Sequence, residues 1–330
     1  MSVRLLFLDS SNPKPYDAET LRTEPMGGTE ASVVRVAEGL AARGHNVIVA
    51  QKGRSAAGQG QAKYIGLDHL DQIAKTPHAV ISLRSPSLVH WVIDKFPASR
   101  RFLWLHDFNQ QKVVQHYPEL MGTGLKILCV SRTHKSVVTS AMLSQIPPPV
   151  RGVTVDFIYN PVDLEPDSTP VDRKKLVFFS SPHKGLEHAL YLFSRLRDID
   201  RAFTLHVANP GYLASAAGLP PGVVSEGTLS HPAVISLVRS ALCVFHPNLV
   251  FPETFGLVHA EANSVGTPVL TSTLGANREI IGDPRQTIDV RDEKTVIDRI
   301  LRWSIERPAV QGKPEFKLSN VIDQWERKLQ

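Results

Sequence analysis

The chain has 330 residues, 42% of them hydrophobic and 21% charged, the balance of a globular protein with enough apolar material for two cores. A net charge of +5 and a pI near 9.2 favour an anionic ligand or surface, with nucleotides and phospholipids both in range. No apolar run approaches the roughly 18 residues of a membrane span. No zinc-finger spacing or aromatic-studded RNA-binding signature is present, which sets nucleic acid aside as a partner.

The opening "MSVRLLFLDSSNPKP" holds an apolar core of only about five residues before Asp9, too short for the h-region of a secretory signal. It reads as a first strand, Val3 to Asp9, of a cytoplasmic protein. "MGGTEAS" follows a long loop, where Gly27 and Gly28 precede Thr29 as the expected cap of a helix. Taken alone, the glycine pair reads as a tight turn before a capped helix; its free backbone amides also outline an anion site. In "EASVVRVAEGLAARG" Val33, Val34, Ala37, Leu40 and Ala41 fall on one helical face, and Gly44 ends the helix. "NVIVA", "HAVISL", "RRFLWLH" and "KILCVS" then recur as short strands with helical or polar intervals, the pattern of a mostly parallel sheet.

A compositional break comes next, where "SQIPPPVRG" and "NPVDLEPDSTPVDRK" concentrate Pro147, Pro148, Pro149, Pro161, Pro166 and Pro170. The alternation restarts beyond it with strands "KLVFFSS", "FTLHVAN" and "LCVFHP" and helices "GLEHALYLFSRLR" and "PAVISLVRSA". The expected organisation is a first Rossmann-like domain over 1–160, a second over 161–317, and a final helix over 318–330. That helix carries Val321, Ile322, Trp325 and Leu329 at helical spacing. In such doubly wound sheets ligands sit beyond the carboxyl ends of the strands. Cys129 and Cys243 lie in apolar runs and read as buried, unpaired thiols.

The segment "PETFGLVHAEANSVGTPV" places Glu253 before an expected helix and Glu261 inside it, with Thr254 available as cap and Gly266 as end. The amides of Phe255, Gly256 and Leu257 would lack partners within the helix, and Gly256 admits a phosphate close to the backbone. Two carboxylates on either side of a helix end match the hydroxyl, diphosphate, hydroxyl layout of a nucleotide-sugar.

This segment resembles the donor-site signature of retaining glycosyltransferases of family 4, which have the GT-B fold: two Rossmann-like doubly wound α/β domains facing across a cleft. "GGTEASVVRVAEGLAARGHNVIV", "LWLHDF", "VSRTHK", "YNPVD" and "HKGLEHAL" are similar to further family segments in the same order. The resemblance implies that Glu253 holds donor-sugar hydroxyls and Glu261 the ribose hydroxyls, while the amides of Phe255, Gly256 and Leu257 surround phosphate and sugar. It puts Lys184 on the diphosphate, His106 against the donor sugar, Gly28 on the diphosphate from the first domain, and the carboxy-terminal helix back on that domain. The chain departs from the family in one respect. "FFSSPHKG" lacks the arginine common a few residues before the lysine, so the diphosphate loses a bidentate partner; Arg132 and Arg278 are the candidate replacements.

The resemblance further implies transfer with retention, no cofactor and no metal, the nucleotide-sugar (a UDP-sugar by family frequency) being a substrate. Asp198 and Asp200 in "RDIDR" have the Asp-X-Asp arrangement that holds divalent ions elsewhere; after a helical run and before a strand they read as a solvated turn. Among the other histidines, His183, His188, His206, His231, His246 and His259 show no metal-ligand spacing and receive no role. The acceptor is expected to be a glycan, a lipid-linked sugar or a small molecule. Basic groups such as Arg100–Arg101 and Lys174–Lys175 would then allow peripheral contact with an anionic membrane at about 1 kcal/mol per charge. The alternatives are a sugar-nucleotide epimerase of the same fold and a non-catalytic sugar-nucleotide- or glycan-binding protein.

Overall fold

The computed structural model describes residues 2–145, 153–209 and 219–330; Pro147, Pro148 and Pro149 of the expected break lie outside them. Two parallel sheets organise the described chain. The first contains β1 (Arg4–Asp9), β2 (Asn46–Gln51), β3 (Lys63–Gly66), β4 (Ala79–Leu83), β5 (Arg100–Trp104), β6 (Lys126–Cys129) and β7 (Thr154–Phe157), in the order β3-β2-β1-β4-β5-β6-β7. The second contains β8 (Asp172–Phe178), β9 (Thr204–Asn209), β10 (Val223–Thr228), β11 (Ala241–His246) and β12 (Val269–Thr271), in the order β10-β9-β8-β11-β12. Both are Rossmann-like α/β sheets, as the alternation of apolar runs and amphipathic segments leads one to expect. The short strands β3, β7 and β10 are additions to that expectation: each is at or next to a sheet edge, and β7 and β10 carry no fully buried residue that would have made an apolar run.

By contacts the chain divides into two compact units. One comprises Met1–Thr20, Thr29–Pro161 and Lys317–Gln330; the other comprises Leu21–Gly28 and Val162–Phe316. Residues 21–28, expected in the first domain, therefore group with the second unit.

In the first unit β1 is covered on both faces, so that Leu5, Leu6, Phe7 and Leu8 are all essentially inaccessible, as central parallel strands require. Phe7 pairs with Val49 on β2 and Ile81 on β4. The helix Leu318–Leu329 buries Val321, Ile322, Trp325 and Leu329, the four residues at helical spacing. Trp325 meets Trp104 and Phe7 edge to face at 4.9 and 5.9 Å. The carboxylate of Asp156 on β7 pairs with Lys328 of the same helix.

In the second unit β8 divides its side chains between two cores. Leu176 and Phe178 pack with Phe193, Phe245 and Trp303, while Val177 packs with Ile235, Val244 and Ala262 on the opposite face. The sheet order reverses between β8 and β11, and the loops leaving the carboxyl ends of those two strands carry the functional candidates.

Candidate functional site

Lys184 arrives on the loop after β8. A single 3₁₀ turn, Pro182–Lys184, leads to Gly185 at φ 106°, which caps the helix Leu186–Ile199. Any side chain at Gly185 would be strained there, and a Cβ would stand 3.0 Å from the Cα of Asn248 on the loop after β11. The two loops thus approach at backbone distance. Lys184 Nζ donates to both oxygens of Glu253, at 2.9 and 3.0 Å. Glu253 is buried and Lys184 half-buried.

Glu253 is held by its own backbone. It forms a parallel bridge with Gly275, and its carbonyl accepts from the Ala276 amide at 2.8 Å. At Gly275 (φ 63°) a Cβ would fall 2.5 Å from the Glu253 backbone, so glycine alone allows this approach. The expected helix start needs correction. Thr254 is not its cap: the helix runs Leu257–Ser264, and its cap is Gly256 in the left-handed region at φ 86°. Glu253 therefore sits off the helix, on a turn that ends in a positive-φ glycine. The helix stops at Ser264, with Val265 as its cap and Gly266, the expected end, directly after it at φ 77°.

In this arrangement the amides of Leu257 and Val258 begin a helix, where no intrahelical acceptor exists for them. The ring of Phe255 packs into the interior against Phe316 at 5.1 Å. Gly28 lies beside the same helix start, since a Cβ there would be 3.4 Å from Leu257 Cδ2. The helix that contains it runs Gly28–Ala42, beginning one residue before the expected cap; the hydroxyl of Thr29 accepts from Arg84 Nη2 at 2.5 Å. Glu261 is buried one turn further along its own helix, and its Oε1 lies 2.8 Å from Nε2 of His231 at the start of the helix His231–Arg239. The sequence pattern assigns His231 no role; its link to Glu261 spans 30 residues of sequence and no local signal announces it.

His106 is in the first unit, directly beyond β5, with its ring 4.4 Å from that of Trp104. Burial, then the positive charge of Arg84, holds its pKa well below the usual histidine value. Arg84 is a non-glycine residue with positive φ, at 60°. It ends β4 and ion-pairs with Glu30 at 3.3 Å and Asp107 at 2.9 Å. Of the candidate replacement cations, Arg132 lies over the Phe157 ring at 5.7 Å and Arg278 is exposed on the helix Asn277–Ile281. The carboxylates of Asp198 and Asp200 are taken by Arg195 and Lys174, at 2.9 and 2.7 Å. Burial raises both cysteine thiols to about 12, which leaves them without nucleophilic character. No helix among the described residues is long and apolar enough to cross a membrane.

Four buried histidines are expected to make the fold acid-sensitive. Burial lowers His134 and His246 to about 4 and holds His106 and His259 well below the usual value. Each is neutral when folded and takes a proton when unfolded below pH about 6.5. Their stabilisation is complete above that pH and is lost as pH falls toward 4, at about 1.4 kcal/mol per pH unit for each group. The urea midpoint is expected to drop markedly between pH 7 and pH 5, before carboxylates titrate. Equal midpoints at the two pH values would contradict the buried neutral assignment.

Residues 165–311, within the second unit, match the family described as glycosyl transferases group 1. A D-inositol 3-phosphate glycosyltransferase of Arthrobacter sp. (strain FB24) is 33% identical over 139 residues, 40% of this chain and 32% of that protein. The matched part thus spans about a third of that relative's length. A sucrose-phosphate synthase from Thermosynechococcus elongatus superimposes with a TM-score of 0.74 at 14% identity, covering 98% of each chain. HepE of Anabaena, solved in complex with UDP and glucose, superimposes with a TM-score of 0.62 at 15% identity, covering 99% of each chain. At such identities the likeness establishes the fold: two Rossmann-like domains of the GT-B type.

Proposed function

We propose, from the premise that residues 165–311 are a group 1 glycosyltransferase domain, that the chain is a retaining, metal-independent glycosyltransferase of family 4 acting on a nucleotide-sugar. The observation that carries this reading is the bidentate contact of Lys184 with Glu253, beside Gly256, at the carboxyl ends of β8 and β11. A cation, a carboxylate and the start of a helix stand together where an open α/β sheet receives its ligand. Lys184 and the amides of Phe255, Gly256 and Leu257 are assigned to the diphosphate, Glu253 to the sugar hydroxyls and Glu261 to the ribose. Gly28 beside Leu257 gives the diphosphate a second wall without a side chain. His106 is assigned to the donor sugar by the resemblance.

In the reaction the bond from the anomeric carbon to the diphosphate breaks while the acceptor oxygen bonds to the same face of that carbon. The acceptor proton passes to the leaving phosphate oxygen. Negative charge grows on the diphosphate, so a preorganised cation and amides there lower the barrier most. A UDP-sugar is the proposed donor, with a glycan, lipid-linked or small-molecule acceptor and a cytoplasmic site of action.

The test is thermal-shift binding of UDP-, GDP-, ADP- and TDP-sugars to the wild type and to Glu261→Ala. A ligand at about a hundred times its Kd adds roughly 2.7 kcal/mol, enough to raise the melting temperature visibly. One nucleotide is expected to stabilise the wild type and to lose that effect in Glu261→Ala. Equal shifts in both proteins would remove the ribose assignment. Release of nucleoside diphosphate only when an acceptor is added separates transfer from epimerisation.

A further inference from the structure

Beneath the turn that carries Glu253 and Gly256 lies a polar seam in an otherwise apolar interior. His246 ends β11 and His259 lies in the first turn of the helix Leu257–Ser264; they are 1% and 0% exposed. His246 Nδ1 and His259 Nε2 share a hydrogen bond of 2.8 Å. Phe178 lies against His246 with ring centroids 5.5 Å apart. His246 Nε2 and His259 Nδ1 are buried without a hydrogen-bond partner, and the neighbouring polar groups are the backbone of Lys184 for His246 and the side chain of Asn277 for His259. Asn277 is itself fully buried; its amide donates to the Ser272 carbonyl at 3.0 Å, and its Oδ1 lacks a partner. His259 Nδ1 is also what Gly256 rests on: a Cβ at Gly256 would lie 2.9 Å from it.

We infer that His246 and His259 are positioning residues, a proton-sharing imidazole pair that ties the phosphate-binding turn at Gly256 to the end of β11 and to the backbone of Lys184. The inference rests on the donor-site reading of that turn. Two neutral rings bring two protons, and one must occupy the bond between them, because two lone pairs cannot face each other at this distance. The other proton has two places. When His246 donates, His259 carries its proton on Nδ1, toward Asn277 and Gly256. When His259 donates, the free proton sits on His246 Nε2, toward the Lys184 backbone. The pair can therefore satisfy one end at a time: the end at Asn277, beneath Gly256, or the end at the Lys184 backbone.

The charged groups facing the pair are Glu253 and Lys184. A diphosphate drawing Lys184 away from Glu253 changes the field along the pair and with it the preferred proton position. Burial keeps both rings neutral at pH 7.

The experiment is calorimetric titration of UDP into wild type, His246→Leu, His259→Leu and the double variant, with melting temperatures for each. Each single change strands one buried imidazole, so melting temperature falls and UDP Kd rises at least tenfold. Removing both polar partners restores an apolar interior and much of the melting temperature. UDP Kd in the double variant still stays at least tenfold above wild type, since nothing then orients the turn. A double variant, or His259→Leu, that binds UDP within twofold of wild type overturns the inference. Wild type that binds none of UDP, GDP and ADP overturns the donor-site reading itself, and the inference with it. Where the leucine variants do not fold, nitrogen-15 spectra of the wild-type rings decide: a tautomer change on adding UDP supports the pair, and an unchanged pattern overturns it.

Discussion

Lys184→Met is expected to lower kcat/KM for the nucleotide-sugar by about 10²–10³-fold, the usual consequence of removing one preorganised donor from a site of developing negative charge. The reason is geometric. Lys184 ends a 3₁₀ turn on the loop after β8 and is followed by the left-handed Gly185, and the stretch "FFSSPHKG" holds no arginine to share the task. Its ammonium pairs with Glu253 at 2.9 Å, close in sequence to the start of the helix Leu257–Ser264. Stability should change less than activity, falling by about 1–3 kcal/mol, because Lys184 is 30% exposed while the buried Glu253 carboxylate is left without its cation. Steady-state release of nucleoside diphosphate and a urea melt on the same sample separate the two effects. Activity within threefold of wild type would show that the diphosphate is held elsewhere.

Trp325→Ala is expected to cost about 3–5 kcal/mol of folding free energy, seen as a large fall in urea midpoint. Trp325 is fully buried, and its ring contacts two aromatic side chains from central strands of the first sheet, Phe7 and Trp104. Cutting it back leaves a cavity that the sheet cannot close, since the strands on either side are fixed by their ladders. Trp325→Phe keeps an aromatic ring in the same place and should cost markedly less. A loss below about 1 kcal/mol for the alanine variant would mean that the helix Leu318–Leu329 is an accessory of the first unit and not part of its core.

The alternation of strands and helices is written in the local pattern, because central parallel strands buried on both faces read as short apolar runs. β1, β2, β4, β5, β6, β8, β9 and β11 were legible for that reason. Local pattern also singles out the segment proposed to bear the chemistry, since a glutamate before a glycine and another inside the following helix lie close in sequence. Three features depend on the folded chain. The helix starts at Leu257 and not after Thr254, because Gly256 adopts a left-handed conformation and Glu253 is drawn into a bridge with Gly275. Lys184 finds Glu253 across 69 residues only because β8 and β11 are neighbours at the point where strand order reverses. His231 reaches Glu261, and His246 reaches His259, across 30 and 13 residues, between elements whose adjacency no periodicity encodes. Local pattern reports how a segment meets solvent and core; which polar groups meet each other is set by the order of strands in a sheet, and that order is a property of the folded chain.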